Sequence, residues 1–240
     1  MWTRAELKQQ AKQVMKTQYW KMLVASLVLA LLTGTFVSLF LDFYDIFFGF
    51  EQSVEMYESA EAMVMSYRPF VLVFIVSIVY AIFVVEPLSV GFMKYFINAR
   101  FTQASYSDLF YAFRNHYWNH VKILFLMNLK ILLWTCVFFV PGVIKAYEYF
   151  MVRYILAEDA DVDAKTVFAL SKKLTDSMKF DIFVLVLSFL GWNFLGLLAC
   201  GVGSIFVIPY EQASYTELYF KLKEIQGVSI GFELPPTPDK

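Results

Sequence analysis

The sequence predicts an all-α polytopic transmembrane helical bundle, and three observations carry that reading. Long apolar runs recur along the chain, and the stretch 182–208 holds no charged side chain. Charged residues make up only 17% of the 240 positions, 59% are hydrophobic and mean hydropathy is +0.57. Soluble domains carry roughly a quarter charged residues. Lysine and arginine gather in alternate connecting segments, the bias that orients helices across a bilayer. A net charge of −1 argues against nucleic acid as a partner.

A bilayer core of about 30 Å needs about 20 helical residues. Spans are expected at about 22–41, 70–93 and 121–140. Pro141-Gly142 then opens a shorter run, 141–157, that contains Lys145, Glu148 and Arg153. Lys145 and Glu148 can pair on one helix face, and Arg153 can snorkel to the interface. The run 182–208 is long for one helix and short for two, and Gly201 and Gly203 around Val202 predict a break. Spans at about 180–199 and 204–221 result, the last one crossing Pro209 with the aromatics Tyr210, Tyr215, Tyr219 and Phe220. One membrane domain, 1–224, holds them all; the proline-containing tail 225–240 is expected to be disordered.

Charge separates four spans from six. Arg4, Lys8, Lys12, Lys16 and Lys21 precede the first span, which puts the N-terminus in the cytoplasm. The loop 42–69 has Arg68 against six acidic residues and reads as external. Segment 94–122 carries Lys94, Arg100, Arg114 and Lys122 and returns inside. Lys165, Lys172, Lys173 and Lys179 place 158–179 inside as well, which favours six spans with both termini cytoplasmic, although five acidic residues share the segment. No cleavable signal peptide is read at the N-terminus.

Three amphipathic stretches precede apolar hairpins. The first opens with the capping-box pattern Thr3-Arg4-Ala5-Glu6 and runs to Tyr19-Trp20; the second starts near Ser107-Asp108 and ends at Tyr117-Trp118; the third runs from Asp163 to Phe180. Each hairpin has a proline in its second helix: Pro87, Pro141 and Pro209. An interfacial helix plus a hairpin, three times over, is the expected plan.

Embedded ionisable residues are the places where activity could sit, because they are costly in lipid. Glu86 lies in the second span immediately before Pro87, whose ring frees a backbone carbonyl one turn earlier. Lys130, with Asn128, sits in the third span, and a pair of Lys130 with Glu86 or Glu148 would satisfy both charges inside the bundle. Lys145 and Glu148 complete the candidate polar site. Asp181 reads as an interfacial cap. His116 and His120 have the spacing of two metal ligands but few carboxylates nearby, and Glu158, Asp159, Asp161 and Asp163 read as a solvated turn, so no metal or cofactor is expected. Cys136 and Cys200 read as packing residues. There is no phosphate loop, metalloprotease motif or nucleophile elbow, so no enzymatic activity is expected. Gly191, Gly196, Ala199 and Gly203 would allow close helix contact, including self-association.

Several segments resemble a known bacterial membrane family, domain of unknown function 975. They are Arg4-Ala5-Glu6-Leu7-Lys8, Pro87-Leu88-Ser89-Val90-Gly91, Asp108-Leu109-Phe110 and Val140-Pro141-Gly142-Val143-Ile144-Lys145-Ala146. Further on come Tyr154-Ile155-Leu156-Ala157-Glu158-Asp159, Ser188-Phe189-Leu190-Gly191-Trp192 and Pro209-Tyr210. The resemblance implies an integral protein of the bacterial plasma membrane without an established activity, and no catalytic residues to carry over. Glu86 departs from the small or apolar residue expected before Pro-Leu-Ser. Two functions remain open: a non-enzymatic protein that organises the envelope or assists a membrane partner, and a small-solute or ion permease using Glu86 and Lys130.

Overall fold

The computed structural model describes residues 2–34, 74–101, 104–198 and 202–228, and every regular element among them is helical. Helix α1 is Arg4–Leu32, α2 is Phe74–Arg100, and a 3₁₀ turn, Tyr106–Phe110, leads into the short α3, Tyr111–Arg114. Then follow α4, Tyr117–Val137; α5, Phe139–Glu148; α6, Val152–Glu158; and α7, Ala164–Thr175. Helices α8, Lys179–Leu198, and α9, Val202–Gln226, complete the order. Among the described residues, three stretches are long and apolar enough to cross a membrane: Phe74–Arg100, Tyr117–Val137 and Lys179–Gly196. Parts of the expected spans 22–41 and 70–93, the link at 199–201 and most of the C-terminal tail lie outside the described residues. Helix α9 runs through Gln226, so it includes the first residues of the stretch read as tail.

The hydroxyl of Thr3 accepts from the Glu6 amide and starts α1, but the helix does not stop at Tyr19-Trp20. No glycine or proline interrupts 19–22, and the Gln18 side chain donates to the Ala99 carbonyl, holding this region against α2. An interfacial helix and the start of the first span are therefore one continuous element. The second expected interfacial helix is a 3₁₀ turn capped by Ser105 and Asp108, then a single helical turn that breaks at His116 (φ 46°). The third matches its expected start, with Asp163 accepting from the Lys165 and Thr166 amides. Among the described residues, these three elements do not share one geometry.

The run 141–157 is not one helix either. It divides into α5 and α6 at Tyr149–Met151, where the Val152 amide bonds the Tyr149 carbonyl. The Glu148 carbonyl, which a continuing helix would satisfy from Val152, accepts instead from Ser171 Oγ at 2.8 Å and Thr175 Oγ1 at 3.4 Å on α7. The short α6 ends up in the main core: Tyr154, Ile155, Leu156 and Ala157 are all fully buried among Ile123, Leu124, Val167, Leu218 and Tyr219. A second cluster joins Ala11, Met22 and Ala25 of α1 to Phe92, Tyr95 and Phe96 of α2. Large apolar side chains elsewhere face outward, among them Phe74, Ile75 and Val76 on α2, Leu132 and Leu133 on α4, and Leu190 and Phe194 on α8. So much exposed apolar surface suits lipid rather than water.

Two glycines of the quoted segments sit where no side chain fits. A Cβ on Gly91 would lie 1.9 Å from the Leu109 carbonyl oxygen, and one on Gly142 would lie 2.1 Å from Thr135 Oγ1. A Cβ on Gly191 would meet nothing within 4 Å among the described residues. Gly91→Ala should therefore destabilise the folded protein by about 1–3 kcal/mol through overpacking. Gly191→Ala should be neutral or stabilise by up to about 1 kcal/mol. Denaturant unfolding in detergent micelles measures both, and equal effects would contradict the packing described.

Candidate functional site

Pro87 lacks an amide hydrogen, so the carbonyl of Phe83 has no donor four residues on. The helix widens into a π turn over Ala81–Val85, and the Tyr117 hydroxyl at the start of α4 donates to the Phe83 carbonyl at 2.7 Å. Glu86 stands on this irregular turn. Its carboxylate accepts from Arg153 Nη2 of α6 at 2.9 and 3.1 Å, from Arg153 Nε at 3.3 Å, and from Asn128 Nδ2 of α4 at 2.8 Å. One carboxylate thus joins α2, α4 and α6. The side chains keep 18% (Glu86) and 31% (Arg153) of their exposure.

Lys130 does not join this group, contrary to the expected pairing with Glu86 or Glu148. Its ammonium lies over the Phe168 ring at 3.7 Å from the centroid and 5.8 Å from that of Tyr149, a cation–π arrangement. The expected pair of Lys145 with Glu148 is present at 3.0 Å, and Lys179 adds a second cation at 3.7 Å. The four candidate residues therefore fall into separate places: Glu86 with Asn128 and Arg153, Lys145 with Glu148 and Lys179, and Lys130 on the aromatics between α4 and α7. Arg153, expected to snorkel, is the principal partner of Glu86.

Sequence reasoning missed two further pairs. Lys223 of α9 donates to Glu158 at 2.6 Å, Tyr219 donates to the same oxygen at 2.8 Å, and both ionic side chains are 1% exposed. Burial pushes the Glu158 carboxyl above the usual range, against the downward pull of the Lys223 ammonium. Arg100 meets Glu217 through both oxygens, at 2.9 and 3.1 Å, and stacks on Phe220. Glu158 was hidden in an acidic run that reads as solvent-exposed; a lysine near the end of an aromatic-rich helix was the available signal for its partner.

The histidines part company. His116, in the left-handed conformation before α4, faces Asp161 at 3.0 Å, while the His120 ring is buried beside Tyr111. Among the described residues no group of three or more histidine, cysteine or acidic side chains is arranged to hold a metal ion. Asp163, read as part of a solvated acidic turn, is the N-cap of α7.

The geometry around Glu86 is that of a structural clasp. Glu86→Gln alone leaves a guanidinium without its carboxylate, and Arg153→Gln alone leaves a carboxylate without its cation. Each should cost roughly 1–3 kcal/mol, between the values for exposed and fully buried pairs. Glu86→Gln combined with Arg153→Gln should recover part of that loss, because neither charge is then left without its partner. Thermal unfolding of the purified variants in one detergent measures the cycle, and simple additivity of the two losses would argue against a direct pair.

No curated protein and no solved structure matches the chain. The family model described as Protein of unknown function (DUF975) matches residues 137–226. This segment includes α5 to α9 with the pairs Lys145–Glu148 and Glu158–Lys223, whereas the segments at 87–91 and 108–110 that also carry the resemblance precede it. Residues 137–226 are thus similar to the domain of unknown function 975 family.

Proposed function

We propose that this is a non-enzymatic protein of the bacterial plasma membrane that organises the envelope or assists a membrane-embedded partner. The observation that supports this reading is the use made of Glu86. Its carboxylate is spent on Asn128 and Arg153, holding three helices together at a proline-broken turn. A carrier would instead keep such a group available to a solute or proton during its cycle. The orientation proposed has both termini and segment 158–179 in the cytoplasm, on the strength of the basic residues there.

A permease using Glu86 and Lys130 is the second reading, favoured by the partial exposure of Glu86 and Arg153. Flux decides between the two. Vesicles containing the purified chain and a pH-sensitive dye should acidify no faster than protein-free vesicles under an imposed potential. They should also show no cation counterflow. Conductance above that background, abolished by Glu86→Gln, would replace the accessory reading with transport.

Orientation is tested separately. Ser171 is buried, but Lys172 beside it is exposed. With Cys136 and Cys200 replaced, Lys172→Cys should resist a membrane-impermeant maleimide in intact cells and react after lysis. Labelling of intact cells would put α7 on the outer face and reverse the proposed topology.

A further inference from the structure

A cleft of about 450 Å³ lies between α1, α8 and α9, lined by Lys8, Lys12, Trp192, Phe206, Val207 and Tyr210. Its walls are apolar and open: Trp192 is 56% exposed and Phe206 49%. Its other side is cationic. The Lys8 ammonium donates to Ser188 Oγ at 2.8 Å and lies 4.4 Å from the Phe189 ring centroid; that of Lys12 lies 5.8 Å from the Tyr210 centroid.

Neither lysine is paired with a carboxylate among the described residues. Glu211, next to Tyr210, is already engaged by Asn193 and Tyr215. Burial lowers the pKa of Lys8, and the charges of Arg4 and Lys12 lower it further. Arg4, Lys8, Lys12 and Lys16 follow one another at intervals of four along α1, so they share one helix face and repel. Uncompensated cations beside an exposed aromatic and aliphatic wall are complementary to one kind of molecule, an anion carrying a hydrocarbon chain.

We propose that this cleft binds an anionic phospholipid. Lys8 and Lys12 take the headgroup phosphate, and Trp192, Phe206 and Val207 receive the first part of an acyl chain. The proposal rests on the membrane location and adds to it a selective lipid site. An anion between the two ammonium groups removes their mutual repulsion, so its binding also steadies α1 against the α8–α9 hairpin.

The test uses the full chain in phosphatidylcholine vesicles doped with either brominated phosphatidylglycerol or brominated phosphatidylcholine. The quenching of Trp192 is read as the difference between the unmodified chain and Trp192→Phe. Brominated phosphatidylglycerol should quench Trp192 at least twofold more than brominated phosphatidylcholine. The preference should vanish in Lys8→Gln/Lys12→Gln, return in Lys8→Arg/Lys12→Arg, and persist in Lys16→Gln/Lys21→Gln. Equal quenching by the two lipids would overturn the site while leaving the membrane location intact. So would equal loss of preference in the Lys16/Lys21 variant, which would mark general attraction to an anionic surface. Quenching by neither lipid would overturn both the site and the contact of α8 with lipid.

Discussion

Everything in this structure has to satisfy one constraint: a charge or a freed backbone group away from water needs a partner within the protein. Around Pro87 two such needs arise within a few residues. The ring leaves the Phe83 carbonyl without its helical donor, and the adjacent Glu86 brings a carboxylate. Tyr117 answers the first, Arg153 and Asn128 the second, and the result is a junction of α2, α4 and α6. The same economy recurs at the end of α5, where hydroxyls from α7 take the carbonyl that the helix break releases. Polar groups here work mainly as fasteners, and the apolar residues between them fill the space the fasteners define.

Much of this architecture was legible in the sequence. Apolar run lengths found α4 and α8, the cap at Asp163 placed the start of α7, and a three-residue spacing paired Lys145 with Glu148. Helix ends were less legible where tertiary contacts decide them. Nothing local in 141–157 says that Ser171 and Thr175, over twenty residues later, will accept the role of ending a helix. The continuity of α1 was missed for the opposite reason: its composition changes from amphipathic to apolar, but backbone geometry has no cause to change with it.

The polar site was legible by residue and not by pairing. Glu86 stands out in any reading of an apolar run. Its partner does not, because Lys130 and Arg153 are equally available by sequence and only the path of α6 brings the guanidinium forward. Planar, bidentate geometry then favours arginine over lysine at a shared carboxylate. Lys130, displaced from that role, is left to the faces of Phe168 and Tyr149. Gly91 and Gly142 illustrate the same limit: a glycine can be seen, but the carbonyl or hydroxyl it must admit cannot.

The Tyr117–Phe83 contact also bears on how the chain is made. Its two ends are 34 residues apart, and the donor emerges from the ribosome after the acceptor helix is complete. Until Tyr117 arrives, the widened turn of α2 holds a carbonyl whose burial without a donor costs a few kcal/mol. A chain ending before Tyr117 therefore has its second helix unfinished in a chemical sense, with that carbonyl left to water. Closing this turn waits on a residue of the next helix, which couples the folding of α2 to that of α4.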